Sequence, residues 1–122
     1  MASTATLSLI NPAATSPVAF FKALSEPTRL LSLLLIQSHG ELCVCELMRA
    51  LQQPQTKVSR HLSHLRQVGL LCGERRGQWV FYRLAALPEW MQVVLRETHA
   101  ANPTLLGPAI GRLAASDRPS CC

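Results

Sequence analysis

The chain has 122 residues, 48% of them apolar, which is one domain's worth of sequence with enough apolar material for a core that needs no disulfide staples. Apolar runs such as Leu33 to Ile36 fall far short of the roughly 20 residues that span a bilayer, so no transmembrane helix and no membrane partner is expected. The net charge of +5 is concentrated in one segment, because Lys57 to Arg83 holds six Lys and Arg side chains against Glu74 alone; a basic segment on a neutral body points to a polyanion partner.

The first residues are rich in Ala, Ser and Thr, carry no basic side chain before Lys22 and are broken by Pro12 and Pro17. They read as a flexible arm over 1–15 and not as a signal peptide. Residues 16–25, SPVAFFKALS, place Val18, Phe21 and Leu24 at helical spacing. Ser25 is the expected cap of a second helix, EPTRLLSLLLIQ, with Pro27 in its first turn. That helix is apolar on most sides and is therefore expected at the centre of the core, ending at Ser38-His39-Gly40.

A short helix is predicted over roughly Cys43 to Leu51, then a turn at Gln52-Gln53-Pro54. The next stretch, PQTKVSRHLSHLRQVG, is the clearest periodic element: Val58, Leu62, Leu65 and Val68 form one apolar stripe, and Lys57, Ser59, Arg60, Ser63, His64 and Arg66 form a face of donors and cations. After Gly69 the period becomes two. LLCGERRGQWVFYRL reads as a β-hairpin turning at Gly77. Residues 87–100 form a last helix, and the chain from 102 to 122, with Gly107, Pro108, Gly111 and Pro119, is expected to be a mobile tail ending in Cys121-Cys122.

This order of pieces predicts a mainly α domain over 16–101 with a small β-hairpin, a winged helix-turn-helix whose second helix enters the major groove and whose hairpin reaches phosphates. The candidate DNA-binding residues are Gln55, Lys57, Ser59, Arg60, His61 and His64 on the helix, with Arg75 and Arg76 on the wing. Five cysteines, an odd number without the spacing of a secreted framework, suggest reduced thiols in a cytoplasmic protein. Paired carboxylates, a glycine-rich phosphate loop and a nucleophile with a base in sequence context are all missing, so an enzyme is not expected.

ELCVCEL, KVSRHLSHLRQVGLL and GQWVFYRL, in this order, resemble the ArsR/SmtB family of metal-responsive repressors, and specifically its arsenic-sensing branch. The resemblance covers about residues 17 to 100. It implies a dimeric repressor, built through its first and last helices, that holds operator DNA when metal-free and is released by a thiophilic ion. It also implies an inducer site at Cys43 and Cys45 for arsenite or antimonite, with no cofactor required. Residues two apart on a straight helix diverge by about 200°, so closing both sulfurs on one ion implies distortion of that helix as the switch. Several members carry a third cysteine where this chain has Met48, which leaves Cys121 and Cys122 as the further candidate ligands. Cys72 reads as a small packed residue. The alternatives are a sensor of cadmium or lead, a sensor of organoarsenicals, and a thiol redox switch.

Overall fold

The computed structural model describes residues 16–114. In chain order these form α1 (Pro17–Leu24), α2 (Pro27–His39), β1 (Glu41–Cys43), α3 (Val44–Leu51), α4 (Gln55–Gln67), β2 (Leu71–Arg76), β3 (Trp79–Leu84), α5 (Glu89–Ala101) and α6 (Pro103–Ala114). Residues 1–15, expected to be an arm, and Cys121 and Cys122 lie outside the described residues.

Two prolines set the first helix boundaries. Pro17 follows Ser16, whose hydroxyl accepts the Ala19 N–H at 3.1 Å. Pro27 forces the residue before it into extended backbone, and that residue, Glu26, caps α2 by accepting the Arg29 N–H at 2.9 Å. Ser25 therefore closes α1 and does not cap α2, its N–H donating to the Lys22 carbonyl. The run Leu33 to Ile36 is fully buried on all sides, because α2 is enclosed by α1, α3, α4, α5 and the sheet.

Helices α3 and α4 are joined through Gln52-Gln53-Pro54, where Gln52 adopts a left-handed φ of 54° and closes α3. Val58, Leu62 and Leu65 bury the apolar stripe of α4 as the spacing predicts, with Val68 half-buried at its end. The hairpin is present with Gly77 at a φ of 66° in its turn. It is part of a three-stranded antiparallel sheet in the order β1-β3-β2, with Glu41 opposite Arg83, Leu42 opposite Tyr82 and Cys43 opposite Phe81.

The segment from 103 differs from its expectation as a mobile tail. Pro103 to Ala114 is a helix, α6, that buries Leu106 and Ala109 and packs chiefly on α3. Pro108 inside it removes one hydrogen bond, a cost of about 3 kcal/mol in a free helix. Docking offsets that cost: Leu106, Ala109, Ile110 and Leu113 form a stripe at i, i+3, i+4 and i+7 against the core, and Arg112 Nε donates to the Ala50 carbonyl at 2.8 Å near the open end of α3. Leu106→Ala is expected to destabilise the protein by about 2–5 kcal/mol, as for other buried leucines, when measured by urea unfolding. A loss below about 0.5 kcal/mol, the value for an exposed site, would mean that α6 is not docked.

Candidate nucleic-acid interface and thiol site

Cys43 is the last residue of β1 and the residue that precedes the first turn of α3, with extended backbone at φ −90° and ψ 168°. Cys45 lies in that first turn. The divergence expected of two helical residues therefore does not apply: one of the pair is on a strand end, and the two Sγ atoms stand 3.3 Å apart. This corrects the expectation that the helix must distort to bring them together. The convergence is held by Glu46, which is buried and accepts the Cys43 N–H at 2.9 Å in the reciprocal manner of a capping box. Cys43 is almost wholly buried while Cys45 is half-exposed, so the pair is approached from one side. Two soft sulfurs at a helix N-terminus, where negative charge is favoured, suit a thiophilic ion.

The pair opens into a cleft of about 470 Å³ that also reaches Gln55 and Ser59 on α4 and Arg75, Gln78 and Trp79 on the hairpin. Sulfur site, helix and wing thus share one space. On α4, Gln55, Arg60 and His64 are exposed together with Thr56, Ser63 and Arg66, and Lys57 and Ser59 are half-buried at the edges of that face. Arg75 is exposed beside the hairpin turn.

Two of the predicted DNA-binding residues, Arg76 and His61, are engaged by neighbouring side chains, Arg76 while still exposed on the wing. Arg76 is held within the sheet: its guanidinium donates to both carboxylate oxygens of Glu41 at 2.6 and 3.0 Å and to Glu74 at 2.8 Å, and lies 4.7 Å from the Phe81 ring centre. His61 is 8% exposed and lies on the inner side of α4. Arg29 Nη1 donates to its Nδ1 at 3.3 Å, which assigns the ring proton to Nε2, facing Glu26 at 3.5 Å. The same Arg29 donates to the carbonyls of Ala23 and Lys22 at the end of α1. The group ties α1, α2 and α4 together. Glu41 and Arg29 carry no motif that announces these roles, whereas Glu46, three residues after Cys43, fits the capping-box spacing and was legible.

A three-helix core, a helix-turn-helix and a β-hairpin beside it define a winged-helix protein of the kind that binds duplex DNA. A model described as bacterial regulatory protein, arsR family, matches residues 26–71. The arsenic resistance transcriptional regulator ArsR1 of Pseudomonas putida is 47% identical over 100 residues, covering 81% of this chain and 78% of that protein. The arsenical resistance operon repressor of Escherichia coli is 48% identical over 82 residues, 66% of this chain and 70% of that one. Among solved structures, the AntR antimony-specific transcriptional repressor matches with a TM-score of 0.62 at 28% identity, covering 71% of this chain and 77% of that chain. The chain belongs to the arsR family of bacterial regulatory proteins. No helix among the described residues is long and apolar enough to cross a membrane.

His61 yields a test of the buried group. Burial pushes its pKa below the ordinary 6.5; nearby Arg29, Arg60 and Lys57 act in the same direction, and Glu26 opposes them. The unfolded chain then takes up a proton more readily than the folded one, so stability is full above pH 6.5 and falls as the pH drops through the depressed value. Urea unfolding over a pH series should show this acid loss reduced in His61→Gln. An identical slope in the variant would exclude His61 as its source.

Proposed function

We propose that this chain is a transcriptional repressor that holds operator DNA as a homodimer in the cytoplasm and releases it when trivalent arsenic or antimony binds Cys43 and Cys45. The observation that carries the reading is the pair of sulfurs at 3.3 Å, set where strand β1 becomes helix α3 and facing a cleft shared with α4 and the wing. The arsenic resistance regulators of Pseudomonas putida and Escherichia coli and the antimony-specific repressor, to which the chain is similar, agree with it. No further cofactor is invoked.

DNA contacts are assigned to Gln55, Lys57, Ser59, Arg60 and His64 on α4 and to Arg75 on the wing. His61 supports the same surface from behind by fixing α4 against α2, and the exposed Arg76 does so by fixing the hairpin to β1 through Glu41. The homodimer is supported by an exposed apolar surface on α1 and α5: Val18, Phe21, Trp90 and Val93 are all open to solvent in the single chain, and the Phe20, Phe21 and Trp90 rings pack edge to face or tilted.

Each thiol that binds arsenous acid displaces one hydroxide as water, its own proton leaving with the hydroxide. Two sulfurs leave one position on the arsenic. Cys121 and Cys122 are proposed for it, since the described part of α6 reaches Ala114, which lines a small pocket with Leu42 and Glu46, the sequence neighbours of Cys43 and Cys45. The seven residues from there to Cys121 can span up to about 24 Å. Moving the repressor from mostly bound to mostly released needs about 5.5 kcal/mol of differential affinity, which the ligand supplies by binding the released state more tightly than the DNA-bound one.

Two outcomes test this. Cys43→Ser and Cys45→Ser should each keep operator affinity in a gel-shift titration but lose release by arsenite; full inducibility of Cys43→Ser would remove the pair from the site. Arg60→Ala should weaken specific binding by about 1 kcal/mol or more and lower the salt dependence by about one charge. An affinity within about twofold of the parent would take α4 out of the groove.

A further inference from the structure

We infer that Arg76 and Glu41 form a clamp that carries inducer binding at Cys43 to the wing, a positioning role that rests on the thiol pair being the inducer site. In the sheet order β1-β3-β2 the thiol strand and the first strand of the hairpin share no ladder and meet only through β3. A side chain joins them directly. The guanidinium of Arg76, on β2, reaches across β3 over the ring of Phe81, 4.7 Å from its centre, and donates to both carboxylate oxygens of Glu41 on β1 at 2.6 and 3.0 Å. Phe81 is the residue opposite Cys43 in the ladder. Residues opposite each other share a face of the sheet, as do Glu41 and Cys43 two apart on one strand, so the clamp closes over the row that holds the inducer sulfur.

The position of the pair gives it leverage. Strand β1 is three residues long, with Glu41 at one end and Cys43 at the other, so a shift of Cys43 toward a ligand moves Glu41 with it. At the other end of the clamp, Arg76 adjoins Gly77 in the hairpin turn, follows the exposed Arg75 and faces Trp79 across the hairpin. Exposed ion pairs usually contribute little. This one is bidentate, takes in Glu74 at 2.8 Å and lies on a ring, and each of these contacts fixes the plane of the guanidinium. A lysine in its place would carry the charge but not the fork. The two arginines of the wing thus divide by role: Arg75 faces outward, and Arg76 sets the angle of the hairpin from the position of β1.

The test measures coupling, the ratio of operator affinity without and with saturating arsenite, on the full chain and on Glu41→Gln and Arg76→Lys. Each substitution should lower the ratio about fivefold, within the range over which residues along a coupling route move it. The double variant should also lose about fivefold and not the product of two independent losses, because all three changes remove one link. Arsenite affinity without DNA, read by competition with a small dithiol, should stay within about twofold in Glu41→Gln, the scatter expected of an independent site. A spectroscopic signal separates coupling from folding. With both tryptophans replaced by fluorotryptophan, arsenite should move the fluorine resonance of Trp79, assigned by its loss in Trp79→Phe. Glu41→Gln should abolish that movement while arsenic stays bound, whereas a direct effect of the ligand on Trp79 would survive. A ratio within about twofold of the parent in both variants, or a Trp79 response that persists in Glu41→Gln, overturns the clamp and leaves the thiol site standing. A parent chain that arsenite neither binds nor releases from DNA overturns the thiol site and the clamp together.

Discussion

The structure depends on one junction, where a three-residue strand turns into a helix at Cys43. That residue pairs with Phe81 on β3, gives its N–H to Glu46 and precedes the first turn of α3. Because the residue before a helix is extended and the next ones are helical, two side chains that would diverge on a continuous helix are turned toward each other. The pairing with β3 also fixes the helix to the wing. A ligand that pulls on these sulfurs therefore acts on a strand, a helix and a hairpin at once, with no long path for the signal to travel.

Helix α4 is governed by a second set of contacts, on its inner side. Arg29 reaches the last carbonyls of α1 and the ring of His61, while Glu26 both caps α2 and faces the same ring. Buried polar groups of this kind are stable only when each finds a partner, so they fix the rotation of α4 about its axis more narrowly than its leucines could. The outer face, with Arg60, Ser63, His64 and Arg66, remains exposed. A cationic outer face and a satisfied polar inner face are compatible because they lie on opposite sides of one helix.

The helices were legible where a period was long and uninterrupted, as in α2 and α4, and the hairpin where alternation met Gly77. The strand Glu41–Cys43 was not, because three residues have no period of their own and exist as a strand only through the free edge of β3. Without that strand Cys43 reads as the start of the helix, and nothing in the sequence brings Glu41 to within 2.6 Å of the exposed wing cation Arg76. Helix α6 was hidden by Gly107, Pro108 and Gly111, which lower intrinsic propensity; docking on α3 overrides them through a stripe that is visible once Leu106 is taken as its start. His61 shows the limit of a helical wheel, since a polar residue on the border of an apolar stripe reads as exposed until its partners on another helix are known.

Arsenic K-edge X-ray absorption on the arsenite-loaded protein tests the thiol pair most directly, because it counts sulfur neighbours without reference to DNA. Loss of one sulfur from the arsenic shell on replacing Cys43 by Ser, and again on replacing Cys45, with the far-ultraviolet dichroism of the helices unchanged, is the predicted result. A sulfur shell that survives both replacements intact would contradict it and move the site away from the junction of β1 and α3.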